Sequence, residues 1–257
     1  MYARANAAML TSAEIEACIK ASILGEVYTT PKPGLVDRRD SGAHRDMNVY
    51  TFERSAAAIT PYLTKMFFEG YFWKNSLQNL FPKIRKTGIF AEKTMFRATD
   101  QVNTHKGLIF TMGILSACAG QCYAKIRRFD TSKIFAYAEE MTKDALEADF
   151  LEMSQRDPVT HGEILFQKYG ERGIRGEAQK GFPIIRNIAL PLMRQYRGIG
   201  LDENGSNINV LLRIMMELND TNVWSRGSRD DVKWIQEQAE KIWKPGGAFF
   251  ETGMKKI

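Results

Sequence analysis

Apolar positions recur at helical spacing along nearly the whole chain. Thr11-Ser12-Ala13-Glu14 reads as a capping box, and Ile15, Ile19, Ile23 and Val27 then repeat along one face. Residues 29–47 carry two prolines, two glycines and no usable period, so they form a long ordered connector. A helix is predicted from about Thr51, with Ala56, Ala57 and Ala58 in its body and Pro61 breaking or kinking it. Further helices are predicted over residues 82–98, 104–125 and 131–155, and shorter ones over 162–168, 183–195, 208–216 and 230–243. No strand alternation persists beyond four or five residues, and no Asn-Gly or Asp-Gly turn joins two strand-like runs. No internal repeat and no Pro/Ser-rich linker divides the chain. The expected fold is all-α: one multi-helix domain over residues 1–257, with long Gly/Arg/His-rich connectors building the site.

Composition adds compartment and partner. At 257 residues the chain can bury a large core. Its longest apolar windows, such as residues 108–119, contain Gly, Thr and Ser and fall short of the roughly 20 residues a membrane span needs. The N-terminus lacks the charged start and apolar run of a signal peptide. Three cysteines (Cys18, Cys118, Cys122) build no disulfide framework. Cys118 and Cys122 share a helix face without a second ligand pair at metal spacing, which reads as core packing. The chain is therefore expected to be cytoplasmic, away from the membrane. A net charge of +6 and a pI near 9.1 call for an anionic partner. The basic residues are dispersed, and many stand beside glycines in connectors. That suits a compact phosphate ligand better than nucleic acid.

The candidate chemistry gathers in such connectors. All three histidines lie in polar, glycine-bearing boundaries: His44 in Ser41-Gly42-Ala43-His44-Arg45-Asp46-Met47, His105 in Asn103-Thr104-His105-Lys106-Gly107, and His161 in Thr160-His161-Gly162-Glu163. Two of these boundaries open helices, whose free N–H groups favour an anion, though a polar N-cap serves equally well to start a buried helix. Residues 169–178 interleave Gly170, Gly173 and Gly176 with Arg172 and Arg175, either as phosphate donors or as a solvated basic loop. Asp220-Thr221-Asn222 followed by Arg226-Gly227 suits a hard cation or an Asx-turn and N-cap. Glu140, Asp144 and Glu147 form one helical stripe, a solvated face or a carboxylate row. Neither the Walker P-loop pattern nor the dinucleotide Gly-x-Gly-x-x-Gly pattern is present. Phe67, Phe68, Tyr71, Phe72 and Trp73 read as core or, alternatively, as the surface of a homo-oligomer.

Thr30-Pro31-Lys32-Pro33-Gly34-Leu35-Val36-Asp37 with Ser41-Gly42-Ala43-His44-Arg45-Asp46-Met47 closely resembles the opening motif of the triphosphoribosyl-dephospho-CoA synthase family. That family supplies a prosthetic-group precursor for the acyl carrier subunits of citrate lyase and malonate decarboxylase. The clusters at 102–107, 160–162, 169–178 with Gly181-Phe182, and 220–227 are similar to its later motifs, in the same order. Two positions depart from the pattern. The chain ends at Met254-Lys255-Lys256-Ile257, where relatives continue into an Asn-x-Ser-Pro-Gly-Gly-Ser-Ala-Asp type motif, and Arg226-Gly227-Ser228 stands where Arg-Gly-Gly is usual.

The resemblance implies an all-helical enzyme using ATP and 3′-dephospho-CoA. The acceptor's ribose 2′-hydroxyl replaces adenine at C1′ of ATP, and Mg²⁺ attends the triphosphate. It implies that Lys32, Arg38, Ser41, His44, His105, Lys106, Arg172, Arg175 and Arg226 hold substrate or phosphate. Asp37, Asp46 and Glu177, with His44 beside them, are candidates for general base, oxocarbenium stabiliser or Mg²⁺ ligand. Asp220 and Asn222 assist metal or ribose binding. The product would pass to a transferase that modifies an acyl carrier protein. A relative with a different acceptor or without turnover, and a basic helical RNA-binding protein, are the competing readings.

Overall fold

The computed structural model describes residues 10–249 and Met254, and every regular element among them is helical. The helices are α1 (Ser12–Tyr28), α2 (Val49–Tyr71), α3 (Leu80–Ala98), α4 (Lys106–Ile126), α5 (Thr131–Met153), α6 (His161–Tyr169), α7 (Gly173–Gln179), α8 (Leu190–Gly198), α9 (Glu203–Glu217), α10 (Thr221–Arg226) and α11 (Arg229–Trp243). A π turn, Ile185–Ala189, leads into α8, and short 3₁₀ turns occupy Leu77–Asn79 and Gly247–Phe249. The all-α expectation holds. The last residues, 255–257, and most of the N-terminal stretch judged for a signal peptide lie outside the described residues.

Backbone contacts gather the chain into two units. One takes the described residues up to Glu26 and then Tyr50–Ile134; the other takes Val27–Val49 and the residues from Phe135 onward. In the first unit the capping box forms as read, with the Glu14 N–H on Thr11 Oγ1 and the Thr11 N–H on Glu14 Oε2. Ile59, Leu63 and Met66 of α2, Leu80 and Met95 of α3, and Ile114, Ala117 and Cys118 of α4 are almost wholly buried. Here α2 and α4 touch through backbone. A Cβ on Gly70 would lie 1.9 Å from the Ala117 carbonyl oxygen, and one on Gly120 would lie 1.9 Å from that of Phe67.

Three sequence expectations change here. Helix α2 continues through Pro61. The proline removes only one N–H, its would-be acceptor at Ala57 lies on an exposed residue where water can replace it, and the Thr60 hydroxyl donates to Ala56 O at 2.7 Å. Helix α4 spans 21 residues and holds an 18-residue stretch of mean hydropathy 1.3, long and apolar enough by composition to cross a bilayer, though half of that stretch is buried inside the protein. Gly113 and Gly120 pack against Met66 and Phe67 of α2, and with buried Ser116 and Gln121 they give it the character of a core helix. The aromatic run divides: Phe67 is buried, whereas Phe72 is 60% exposed and stacks on Phe68.

The second unit packs α5 against α7 and α9 against α11. Phe135, Ala138, Met141, Leu146 and Phe150 bury one face of α5, and the Thr142 hydroxyl donates to Ala178 O at 2.9 Å, fastening α7 to it. Ile208 and Leu212 of α9 pack with Ala239 of α11 and with Met215, Met216, Ile242 and Trp243. Ser228 is the N-cap of α11 and completes a capping box with Asp231. The segment 173–179, expected as a loop, is helix α7. Its glycines lower helix propensity, but the Thr142 hydroxyl of α5 bonds Ala178 O and Gln179 bonds Glu147, so tertiary contacts override propensity; at Gly176 a Cβ would lie 2.6 Å from that of Arg172 at the helix's own N-cap.

Candidate functional site

The opening motif folds as two halves laid on one another in the second unit. Gly42 adopts φ +55, and a Cβ there would lie 2.5 Å from the Gly34 carbonyl carbon and 2.6 Å from the Leu35 oxygen; the Ala43 N–H donates to Gly34 O at 3.1 Å. Between the halves sits Asp37, 2% exposed. Its Oδ2 accepts the Lys32 N–H at 2.7 Å, and its Oδ1 accepts those of Arg39 at 2.7 Å and Asp40 at 3.1 Å. The carboxylate is the hub of its own loop. Lys32 is buried to the same degree, Arg38 is exposed with its guanidinium 5.2 Å from the centre of the Tyr28 ring, and the Thr30–Pro31 peptide is cis. Ser41 accepts the His44 N–H through its carbonyl, and His44 Nδ1 stands 3.9 Å from Asp46 Oδ1, on a largely exposed side chain.

Helix α9 anchors this loop, which the sequence reading missed. Asn204 clasps Thr30 from both sides, accepting its N–H at 2.9 Å and donating to its carbonyl at 2.6 Å. One turn on, Asn207 donates to Thr29 Oγ1, and further along Asn209 bonds Gly246 O and the Ala248 N–H. Asparagine is a poor helix former, so three in one helix were the available signal.

A second group of residues stands on α5, α7 and the turn after α7. Arg172 forks onto Glu147 with contacts of 2.5 and 3.0 Å, reaches Gln179, and lies 4.5 Å from the centre of the Phe150 ring. Its hydrogen bonds, with those of Gln179, hold the Glu147 carboxyl down at about 2. Of the acidic stripe, Glu140 and Asp144 are exposed while Glu147 is the anchor of Arg172. Arg175 donates to Met153 Sδ at 3.1 Å. Glu177 is half-buried, and burial pushes its carboxyl above the usual value, opposed by the Ile184 N–H on Oε2 at 3.1 Å and by Lys180. Gly181 and buried Phe182 shape that turn with φ of +67 and +53. A left-handed backbone at a wholly buried phenylalanine is a strained conformation, held beside the carboxylate.

The remaining clusters divide between structure and surface. Asp220 caps α10, its Oδ1 accepting from the Asn222 and Val223 N–H groups; Asn222 and Arg226 are exposed. His161 begins α6 on the surface behind its Thr160 cap, and buried Glu163 pairs with both terminal nitrogens of Arg156, which brings its carboxyl to about 2. His105 and Lys106 belong to the first unit. His105 is 3% exposed, its Nδ1 lies 2.6 Å from Ser55 Oγ and its ring meets Phe52 edge-on at 5.0 Å. It is therefore part of the helix packing at the start of α4, not an open phosphate donor. Lys106 is exposed and ion-paired to Glu92 at 2.6 Å. Cys118 and Cys122 are buried in the core, as read.

Among the described residues no three His, Cys, Asp or Glu side chains gather closely enough to hold a metal ion. Asp37, Asp46 and Asp220 thus do not converge on one cation. Helix α9, roughly 20 Å long, separates the Thr30 anchor at its start from Asp220 beyond its end.

Comparison with known proteins agrees with these motifs. A family model described as ATP:dephospho-CoA triphosphoribosyl transferase matches residues 12–257. The chain is 36% identical over 250 residues to a probable 2-(5''-triphosphoribosyl)-3'-dephosphocoenzyme-A synthase 1 of Salmonella typhimurium, covering 96% of this chain and 82% of that protein. It is 38% identical over 232 residues to the probable synthase of Streptococcus mutans, covering 86% and 78%. With Protein CitXG of Leuconostoc mesenteroides it shares 36% identity over 251 residues, 96% of this chain and 53% of that one. No solved structure matches the chain. The chain belongs to the ATP:dephospho-CoA triphosphoribosyl transferase family.

Proposed function

We propose that the protein transfers the 5-triphosphoribosyl group of ATP to the ribose 2′-hydroxyl of 3′-dephospho-CoA and releases adenine, with Glu177 as the general base. The bond from C1′ to the adenine nitrogen breaks with its electron pair going to adenine, the bond from C1′ to the acceptor oxygen forms, the hydroxyl proton passes to the carboxylate, and adenine takes a proton from water at a ring nitrogen to leave as the neutral base. The observation that carries this assignment is the raised, half-buried carboxyl of Glu177. Its Oε1 makes no hydrogen bond among the described residues, whereas both oxygens of Asp37 are occupied by backbone N–H groups. A base works best with its pKa drawn toward the working pH, and burial moves Glu177 that way.

For phosphate the exposed guanidinium of Arg38 and those of Arg175 and Arg226 are suited, and Arg172 positions α7 through Glu147. We further propose that Mg²⁺ arrives on the triphosphate, with the largely exposed Asp46 of the opening motif as the carboxylate that would take it. When bound, such an ion neutralises charge on the phosphate oxygens. We further assign the product to an acyl-carrier-modifying transferase serving citrate lyase or malonate decarboxylase, and the protein to the cytoplasm. Full-length protein incubated with ATP, Mg²⁺ and dephospho-CoA should release adenine and form the triphosphoribosyl adduct, both read by mass spectrometry. Absence of both products with both substrates present would sink the transferase reading.

A further inference from the structure

Both proposed substrates carry adenine, and none of the residues assigned above faces a base. The corner where α6 meets α10 supplies an aromatic surface. Helix α6 ends at Tyr169, capped by Gly170 with φ +71, and α10 packs beside it. The Tyr169 and Trp224 ring centres lie 5.0 Å apart with the planes tilted by 31°, and the Arg229 guanidinium is 5.7 Å from the centre of the indole. The corner also joins two clusters far apart in sequence. Gly173 approaches Thr221 so closely that a Cβ would lie 3.2 Å from its methyl, and Asn219 donates to Glu171 at 3.3 Å.

An aromatic pair whose only task was to fasten a six-residue helix would bury its rings. Tyr169 instead leaves 58% of its surface in solvent while Trp224 backs it. Arg226, on the same short helix, is exposed and makes no hydrogen bond or ion pair among the described residues. A flat ring held rigid from behind, with an uncommitted guanidinium on the adjoining helix, matches a purine base that carries phosphate. We propose that Tyr169, backed by Trp224, is the stacking platform for the adenine of one of the two substrates. The proposal rests on the transferase reading for its choice of ligand.

Calorimetric binding of ATP, of dephospho-CoA and of inorganic tripolyphosphate to the full-length protein tests it, each ligand taken alone. Tyr169→Ala is expected to weaken one adenine ligand by roughly tenfold or more, while Tyr169→Phe stays near the wild type and tripolyphosphate binding is unchanged in both. Loss confined to ATP assigns the platform to the leaving base; loss confined to dephospho-CoA assigns it to the acceptor. Unchanged affinity for both adenine ligands in Tyr169→Ala overturns the proposal. So does an equal loss for tripolyphosphate, which marks a structural fault, or a wild type that binds neither nucleotide. A wild type that binds both yet releases no adenine in the turnover assay would instead count against the transferase reading and leave the platform standing.

Discussion

Asp37 accepts three backbone N–H groups while buried, and Glu177 accepts one while half-buried and pushed up by that burial. The difference gives opposite outcomes for the two amide substitutions. In Asp37→Asn an NH₂ must face a backbone N–H, leaving buried donors unsatisfied at about 1–3 kcal/mol. The melting temperature should fall by several degrees and activity should fall with the loop; an unchanged melting temperature with lost turnover would make Asp37 a chemical participant instead. For Glu177→Gln the expected fall in kcat is about 10²- to 10⁴-fold, with little change in KM. The stability sign follows from linkage. The folded carboxyl titrates above its unfolded value of 4.5, so its stabilising share is full below that value and is lost as pH rises through the raised one. Glutamine stays neutral throughout, so thermal denaturation at neutral pH should show the variant more stable than the wild type.

Among the elements, α2 and α4 depend on glycine rather than on hydrophobic pattern alone. Gly120→Ala places a methyl against the Phe67 carbonyl, and backbone on both sides leaves nothing flexible to yield. The overpacking should cost about 3 kcal/mol, a fall in melting temperature of roughly 6–12 °C for a chain of this size, read by calorimetry; a shift under about 2 °C would mean the helices separate easily. Long helices were legible because their apolar faces repeat over several turns: α1, α3, α4 and α5 lie close to their predicted spans. Helix α7 was not. Its glycines and arginines argue for a loop locally, and the Thr142 bond and the Glu147 fork from α5 fasten it as a helix.

At the scale of the whole molecule, two guanidinium–carboxylate pairs in the second unit contribute to acid stability, the buried Glu163 pair more than the half-exposed Glu147 pair. Glu147 and Glu163 titrate at about 2 when folded, against 4.5 unfolded. Each pair's contribution is full above 4.5 and is lost as pH falls from there toward 2. Melting temperatures across that window should drop steeply for the wild type. Arg156→Gln, which strands buried Glu163, should be less stable at neutral pH and flatter in acid. A wild-type profile level down to pH 3 would contradict the pairing.

The amino-acid order by itself determined the helical class, because periodicity is a local property, and it carried the family, because the opening motif and its successors are contiguous strings. It also marked Glu177, Arg172 and Arg226 as chemical residues. It did not distribute their roles. Whether a carboxylate is a hub like Asp37, an anchor like Glu147 or a half-buried group with one oxygen unengaged like Glu177 depends on which N–H groups and guanidiniums surround it. Arg172 reaches Glu147 from 25 residues away, whereas Asp37 is held by Lys32, Arg39 and Asp40 of its own loop, and only the folded path of that loop turns their N–H groups onto it. The same holds for Asn204, whose partner Thr30 lies 174 residues away, and for Trp224 behind Tyr169. Desolvation and hydrogen-bond occupancy are set by packing, so only the tertiary structure decides them.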